Sequence, residues 1–287
     1  MTGQKNDRVL KAATGLEGGV AASGSTCGVV SGGCLGLALF HRRALRRGGP
    51  AANRAVAERV HAYARFFEDA YGTTRCRQRI GGCDFYTLSG QVRYFLGPHR
   101  VGRCVRHIHG AMAWLWDETK KPLPETGASK EPPFHCAEAV LAKVADATGV
   151  NDPLLTRLSF VFDGGAGYSG GACGALVGAV LALNLVLGLD IRRISYIRSF
   201  GPFLRGHMNL LRERPTGPAE PFGTGKGVLS AFRAQAGSTE CQGILGRRFS
   251  GWEDFADHGG RGPCRDLVDL AADLAVDALQ KSAATVA

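Results

Sequence analysis

The stretch GGAGYSGGACGALVGAVLALNLVLGL, Gly164–Leu189, decides how this chain is read. A glycine-rich loop runs into one cysteine, Cys173, which heads a long apolar segment. A weaker copy, GGVAASGSTCGVVSGGCLGLAL, spans Gly18–Leu39, with Cys27 in place of Cys173. Gly18, Gly19, Ser23, Gly24, Cys27, Gly28 and Gly32 fall opposite Gly164, Gly165, Ser169, Gly170, Cys173, Gly174 and Gly178. An internal repeat of this kind predicts two related structural units.

Working outward, the flanking segments read as helices. Cys27–Arg47 is small and apolar first, then basic. Ala55–Tyr71 places Val56, Val60, Tyr63, Phe66 and Phe67 at helical spacing. GRCVRHIHGAMAWLW does the same with Cys104, Ile108, Ala111 and Leu115. Residues 119–133, inside the proline-rich DETKKPLPETGASKEPP, carry no period and predict a linker between units 1–118 and 134–287. The second unit opens on a helix with Cys136, Val140, Val144 and Ala147 on one stripe. It continues through a short apolar helix over 152–163 and a helix over 192–211 interrupted at Gly201-Pro202. A loop over 214–227 follows, and the unit closes on an amphipathic helix from Cys264. Cys76 in TTRCRQRIGG matches Cys241 in STECQGILG, and Cys104 matches Cys264. Nothing before the first glycine loop matches the Cys136 helix.

Nine cysteines in 287 residues are too few for a disulfide scaffold and too many for filler. The amino terminus lacks a basic start followed by an apolar core, so a cytoplasmic, reducing location is the default expectation. There such thiols point to metal ligation or redox chemistry. Cys27, Cys104, Cys136, Cys173 and Cys264 all fall at expected first turns of helices, where free N–H groups and the helix dipole favour a thiolate. One buried cysteine on an apolar stripe is ordinarily core; a set repeated in order and context is not. No Cys-x-x-Cys occurs, which argues against zinc ribbons, thioredoxin-type motifs and bacterial ferredoxin loops. Covalent haem, which needs Cys-x-x-Cys-His, is not expected. The ligands have to converge from separate helices, and Gly170, Gly171 and Gly174 would let a backbone or a cofactor approach Cys173.

Other signals compete. Gly165–Gly170 spells GxGxxG after the apolar run LSFVF, but its counterpart breaks the pattern and no βαβ units surround it. Ala172–Leu189 carries no charge, yet a buried central helix explains it better than a membrane span, since the other helices are amphipathic. GTGKG at 223–227 lacks P-loop spacing and reads as loop. His107, His109 and His135 stand beside cysteines as candidate ligands or proton carriers. The net charge of +10, with the run HRRALRR, suits docking of an acidic redox partner; no nucleic-acid partner is expected, and a homo-oligomer is left open.

With these residues in view, the chain resembles the family of redox-active proteins named for the cysteine pattern C-GCAxxG-C-C. HCAEAVL supplies the first cysteine, GGAGYSGGACGALVGA the glycine-rich centre, ECQGILG and PCRDLVDLAADL the third and fourth. The likeness is good over 134–279 and weaker over 16–116, where the first cysteine is missing. It implies an all-α protein of two related helical halves, packed as a pseudo-dimer around glycine-rich central helices. It also implies redox cysteines holding one or two iron–sulfur clusters for electron transfer. Cys136, Cys173, Cys241 and Cys264 would form the main site. Cys27, Cys76 and Cys104, with Cys34 or Cys83 as replacement ligand, would form a second or vestigial one. A thiol–disulfide oxidoreductase using the same cysteines in pairs, and an interaction protein with a structural metal, are the alternatives.

Overall fold

The run Ala175–Leu187 carries no charge and no proline, so as a helix it is apolar on every side and has to be enclosed. In the computed structural model it is. The structure describes residues 6–97, 99–127, 130–194, 196–213, 216–217 and 219–284; linker positions 128–129 and loop positions 214, 215 and 218 lie outside these. The first half supplies α1 (Asp7–Ala13), α2 (Gly28–Phe40), α3 (Arg42–Arg47), α4 (Gly49–Tyr71), α5 (Cys76–Arg79), α6 (Leu88–Phe95) and α7 (Arg100–Glu118). The second supplies α8 (Cys136–Thr148), α9 (Pro153–Leu158), α10 (Gly174–Leu187), α11 (Tyr196–Leu210), α12 (Pro221–Ala236), α13 (Cys241–Leu245), α14 (Trp252–His258) and α15 (Cys264–Ala284). Single 3-10 turns, Thr14–Leu16 and Ser159–Phe162, lead into the two glycine loops. The fold is all-α: among the described residues there is no strand, only the isolated bridges Thr26–Arg75 and Ala172–Glu240.

Gly174 through Leu185 are buried without a break. Each fully enclosed Leu or Val there contributes about 1.5–3 kcal/mol against exposure. Helices α8, α15 and α12 surround α10 from its own half, and α1 with the turn Thr14–Leu16 covers it from the other. The reverse also holds: α9 and the turn Ser159–Phe162 lie against α2 of the first half. Each glycine loop is likewise met by a helix of the opposite half. His61 of α4 donates to Gly167 O at 2.9 Å, and Gly225 of α12 sits against Ala21.

Both loops take the same uncommon path. Five consecutive residues, Gly18–Ala22, have φ of 62, 89, 64, 47 and 61°, and Gly164–Tyr168 have 60, 87, 59, 62 and 63°. Left-handed backbone costs an L-residue roughly 1–2 kcal/mol, and Val20, Ala21, Ala22, Ala166 and Tyr168 all bear it. Long-reach hydrogen bonds offset that cost: Ala21 N–H to Gly15 O at 2.7 Å and Gly24 N–H to Gly18 O at 2.9 Å, matched by Gly167 to Val161 O at 2.9 Å and Gly170 to Gly164 O at 2.8 Å.

Several local expectations are corrected. The basic segment after α2 is a separate helix, because the chain turns at His41. Helix α6, with Thr87 Oγ1 accepting from Gly90 N–H at 3.1 Å, stands where no element is expected. Helix α11 runs through Pro202 unbroken. GTGKG lies inside α12 rather than in a loop. Glu220 caps its first N–H groups, accepting from Phe222 at 2.9 Å and Gly223 at 2.6 Å, and Pro221 fits the first turn. Cys104 is not in a first turn: α7 starts at Arg100, and Arg103 N–H bonds His99 O at 2.8 Å. Pro263 stands where Arg103 does in the repeat and cannot make that bond, so α15 starts at the cysteine.

Candidate thiolate sites

Each half folds its glycine loop back onto a distant segment so that two cysteines start helices side by side. Cys173 N–H donates to Thr239 O at 2.9 Å and Cys241 N–H to Gly171 O at 2.7 Å. Cys27 N–H donates to Thr74 O at 2.8 Å and Cys76 N–H to Ser25 O at 2.7 Å. The bond pairs are equivalent residue for residue. Cys173 and Cys27 are helix N-caps; Cys241, Cys76, Cys136 and Cys264 are first helical residues.

In the second half, four segments distant in sequence bring Cys136, Cys173, Cys241 and Cys264 to one small cavity of about 20 Å³, room for about one water-sized guest. All four are buried. Ile244, Leu245, Phe255 and Leu267 complete an apolar wall. Burial pushes the Cys173 thiol up to about 11, although the N–H groups of Leu176 and Ala175 pull the other way. Burial, the Asp163 charge and the neighbouring cysteines raise Cys136 well above the usual thiol range. Burial raises Cys264 too, against the pull of a backbone hydrogen bond at Gly260. A metal-bound cysteine is a thiolate, and aimed N–H groups stabilise that form. An all-sulfur donor set in an apolar wall suits a soft metal centre, and a cluster of several iron and sulfide atoms would need the four thiols to stand further apart than this cavity leaves them. As the side chains stand, no three His, Cys, Asp or Glu among the described residues are placed to hold a single metal ion.

In the first half Cys27, Cys76 and Cys104 line a much larger cavity, about 1050 Å³, with Tyr94 Oη 3.5 Å from Cys104 Sγ. Cys34 and Cys83 are fully buried but line neither cavity. The three glycines give close approach to protein atoms. A Cβ on Gly174 would stand 3.0 Å from Cys136 Cβ, one on Gly170 3.0 Å from Gln242 Cβ, and one on Gly171 would meet Thr26 Oγ1. Gly174 itself lines the four-cysteine cavity.

The family model described as "Putative redox-active protein (C_GCAxxG_C_C)" matches residues 1–117 and again residues 134–278. The chain belongs to this family. Two matches in one chain mean a tandem duplication of the redox-active unit. No curated protein and no solved structure matches the chain.

In the redox-active unit of the second half, Asp163 is a site residue that sequence reasoning passed over. Its Oδ1 accepts the Cys136 N–H at 3.0 Å and its Oδ2 pairs with His135 Nδ1 at 2.6 Å. Burial works against the His135 imidazolium, but the Asp163 charge and hydrogen bond outweigh it and its pKa ends above the ordinary value. Burial likewise raises Asp163, opposed by His135. His135 is thus engaged by a carboxylate. His107 packs on Arg79 instead, and burial with that guanidinium lowers it to about 4; His109 is exposed. Glu17 is the counterpart of Asp163, each standing directly before the paired glycines of its loop. It is exposed and faces the open volume of the first-half cavity. That shared position before Gly-Gly is the signal that could have found both.

Proposed function

We propose that this protein transfers electrons through an iron–sulfur cluster held by Cys136, Cys173, Cys241 and Cys264. One observation carries the reading: four cysteines from separate segments of one repeat line the same apolar cavity. Such a cluster supplies one-electron chemistry, its potential set by burial and by hydrogen bonds to sulfur. The chain's own part is to hold four thiolates, direct the Leu176 and Ala175 N–H groups at Cys173, and keep water out with Phe255, Leu245 and Leu267. Asp163 fixes the first turn of α8 and so the place of Cys136. Gly174 keeps Cys136 and Cys173 close, while Gly170 and Gly171 hold the turn in which Cys173 is set. Burial of all four thiols speaks against the thiol–disulfide alternative, which needs a sulfur open to attack.

The reading divides the chain into repeats 1–118 and 134–287, joined by 119–133 and packed as a pseudo-dimer. The reciprocal contacts of α1 with α10 and of α9 with α2 support that packing. Cys27, Cys76 and Cys104 form the second, incomplete site. The partner is an acidic redox protein met by the arginine-rich surface, and the location is cytoplasmic; no helix among the described residues is long and apolar enough to cross a membrane.

Anaerobic purification with visible absorption and iron and sulfide analysis tests this. The expected protein is coloured and contains both elements, and Cys173→Ser loses the iron. Full retention of iron in that variant overturns the ligand set. A colourless, iron-free protein whose thiols pair reversibly indicates the thiol enzyme, and stable zinc without a redox response indicates a structural metal.

A further inference from the structure

The first half has an open groove where the second half is filled. In the second half the walls α10 and α15 close on α8. In the first half their counterparts α2 and α7 face the cavity of about 1050 Å³ instead, which Leu189, Ile191, Arg192, Phe203 and His207 of the second half also line. Matched positions show what α8 covers. A Cβ on Gly178 of α10 would stand 2.8 Å from Ala137 O of α8, whereas one on Gly32 of α2 would meet nothing within 4 Å. Val268 and Ala272 of α15 are each 3% exposed, while their counterparts on α7, Ile108 and Met112, are 48% and 47% exposed. Asp163 receives the first N–H of α8, while Glu17 faces open volume.

We propose that this groove receives an α-helix from a partner protein, apolar on the side it presents and small in its first turns, with its N-terminus seated on the Glu17 carboxylate. Shape argues for a helix, because the same chain builds the same pair of walls around one. Charge argues for its direction: free N–H groups and about half a positive charge at a helix N-terminus complement a carboxylate. The exposed apolar stripe of α7 gives the guest an apolar face to cover, the helix-in-groove mode of recognition. A helix so seated brings its first residue beside Cys27, Cys76 and Cys104, as α8 brings Cys136 beside Cys173, Cys241 and Cys264. The docking does not depend on what any thiol holds.

The test uses the full chain and a fluorescein-labelled peptide with the sequence of residues 133–150, which contains the one helix known to fit such a groove. Titration under reducing conditions, followed by fluorescence anisotropy, is expected to saturate at one peptide per chain. Gly32→Trp, which fills the groove, and Glu17→Lys, which sets a positive charge against the helix N-terminus, each weaken binding by roughly tenfold or more. Circular dichroism and thermal unfolding establish that both variants are folded. Absence of saturable binding overturns the proposal, and so does binding that both folded variants leave unchanged. A dimer of the chain that Gly32→Trp dissolves, or a small apolar molecule that co-purifies and is excluded by that variant, overturns it in favour of another occupant.

Discussion

Thr26 and Ala172 hold the same position in the two repeats, and they touch: Thr26 Oγ1 accepts the Ala172 N–H at 2.7 Å. The bond lies where the two glycine loops meet, beside the Arg75–Glu240 ion pair at 2.8 Å. Thr26→Val keeps the shape and removes the acceptor, leaving a buried N–H unpaired at a cost of about 1–3 kcal/mol. Urea unfolding is expected to show that loss, and Thr26→Ser, which keeps the oxygen, is expected to recover most of it.

The same substitution should have opposite effects at two matched glycines. A methyl on Gly178 would press on Ala137 O at 2.8 Å and Val140 Cβ at 3.0 Å, so Gly178→Ala should cost about 1–3 kcal/mol by displacing α8. Gly32 has open space and sits inside a helix, so Gly32→Ala should stabilise by up to about 1 kcal/mol through propensity. Thermal unfolding of the two variants decides it; equal shifts would mean that the grooves are alike after all.

Acid should destabilise the fold partly through His207. Burial among Phe85, Phe95, Phe203 and Phe222 lowers its pKa from 6.5 to about 4. The unfolded chain therefore binds a proton that the folded chain refuses between those values. Stability is intact above about 6.5 and falls as pH drops toward 4. His41 and His107, also lowered to about 4, act in the same direction. His207→Gln should reduce the stability lost between pH 7.5 and 4.5 by about 2 kcal/mol or less. Denaturation midpoints at the two pH values measure this, and an unchanged pH slope would remove His207 from the account.

Iron content should separate the cysteines by position. Cys34→Ala and Cys83→Ala remove thiols that line neither cavity and should leave bound iron unchanged, whereas Cys241→Ser should reduce it. Metal analysis of anaerobically prepared protein is the readout. Loss of iron from Cys34→Ala would bring that thiol back as a ligand.

Much of the architecture is legible in the sequence because it rests on pattern. The repeat of Cys27 and Cys173 and the enclosed helix after Cys173 both follow from spacing and apolar runs. What escapes the sequence is set by partners far along the chain. Nothing local marks Val20 for left-handed backbone, since a β-branched residue disfavours it; the loop is held there by bonds to Gly15 and by its fit against α12. Gly174 reads as room for a backbone or a cofactor beside Cys173, and the atoms nearest it belong to Phe162 and to Cys136 of α8. Cys104 reads as a helix start because Gly102 precedes it, and only the turn at His99 shows otherwise. The Glu220 cap lies among prolines and glycines that look like loop.

The two isolated bridges carry a consequence for how the protein assembles. Thr26 meets Arg75 and Ala172 meets Glu240 only after loops of about fifty and about seventy residues close, each closure opposed by chain entropy. Contacts so distant in sequence slow folding relative to local helix formation. Helices α2 and α10 can therefore form early while Cys27 and Cys173 still lack their partners. A newly made chain would acquire its secondary structure well before its thiols are brought together, and on the proposed reading cofactor insertion would come last.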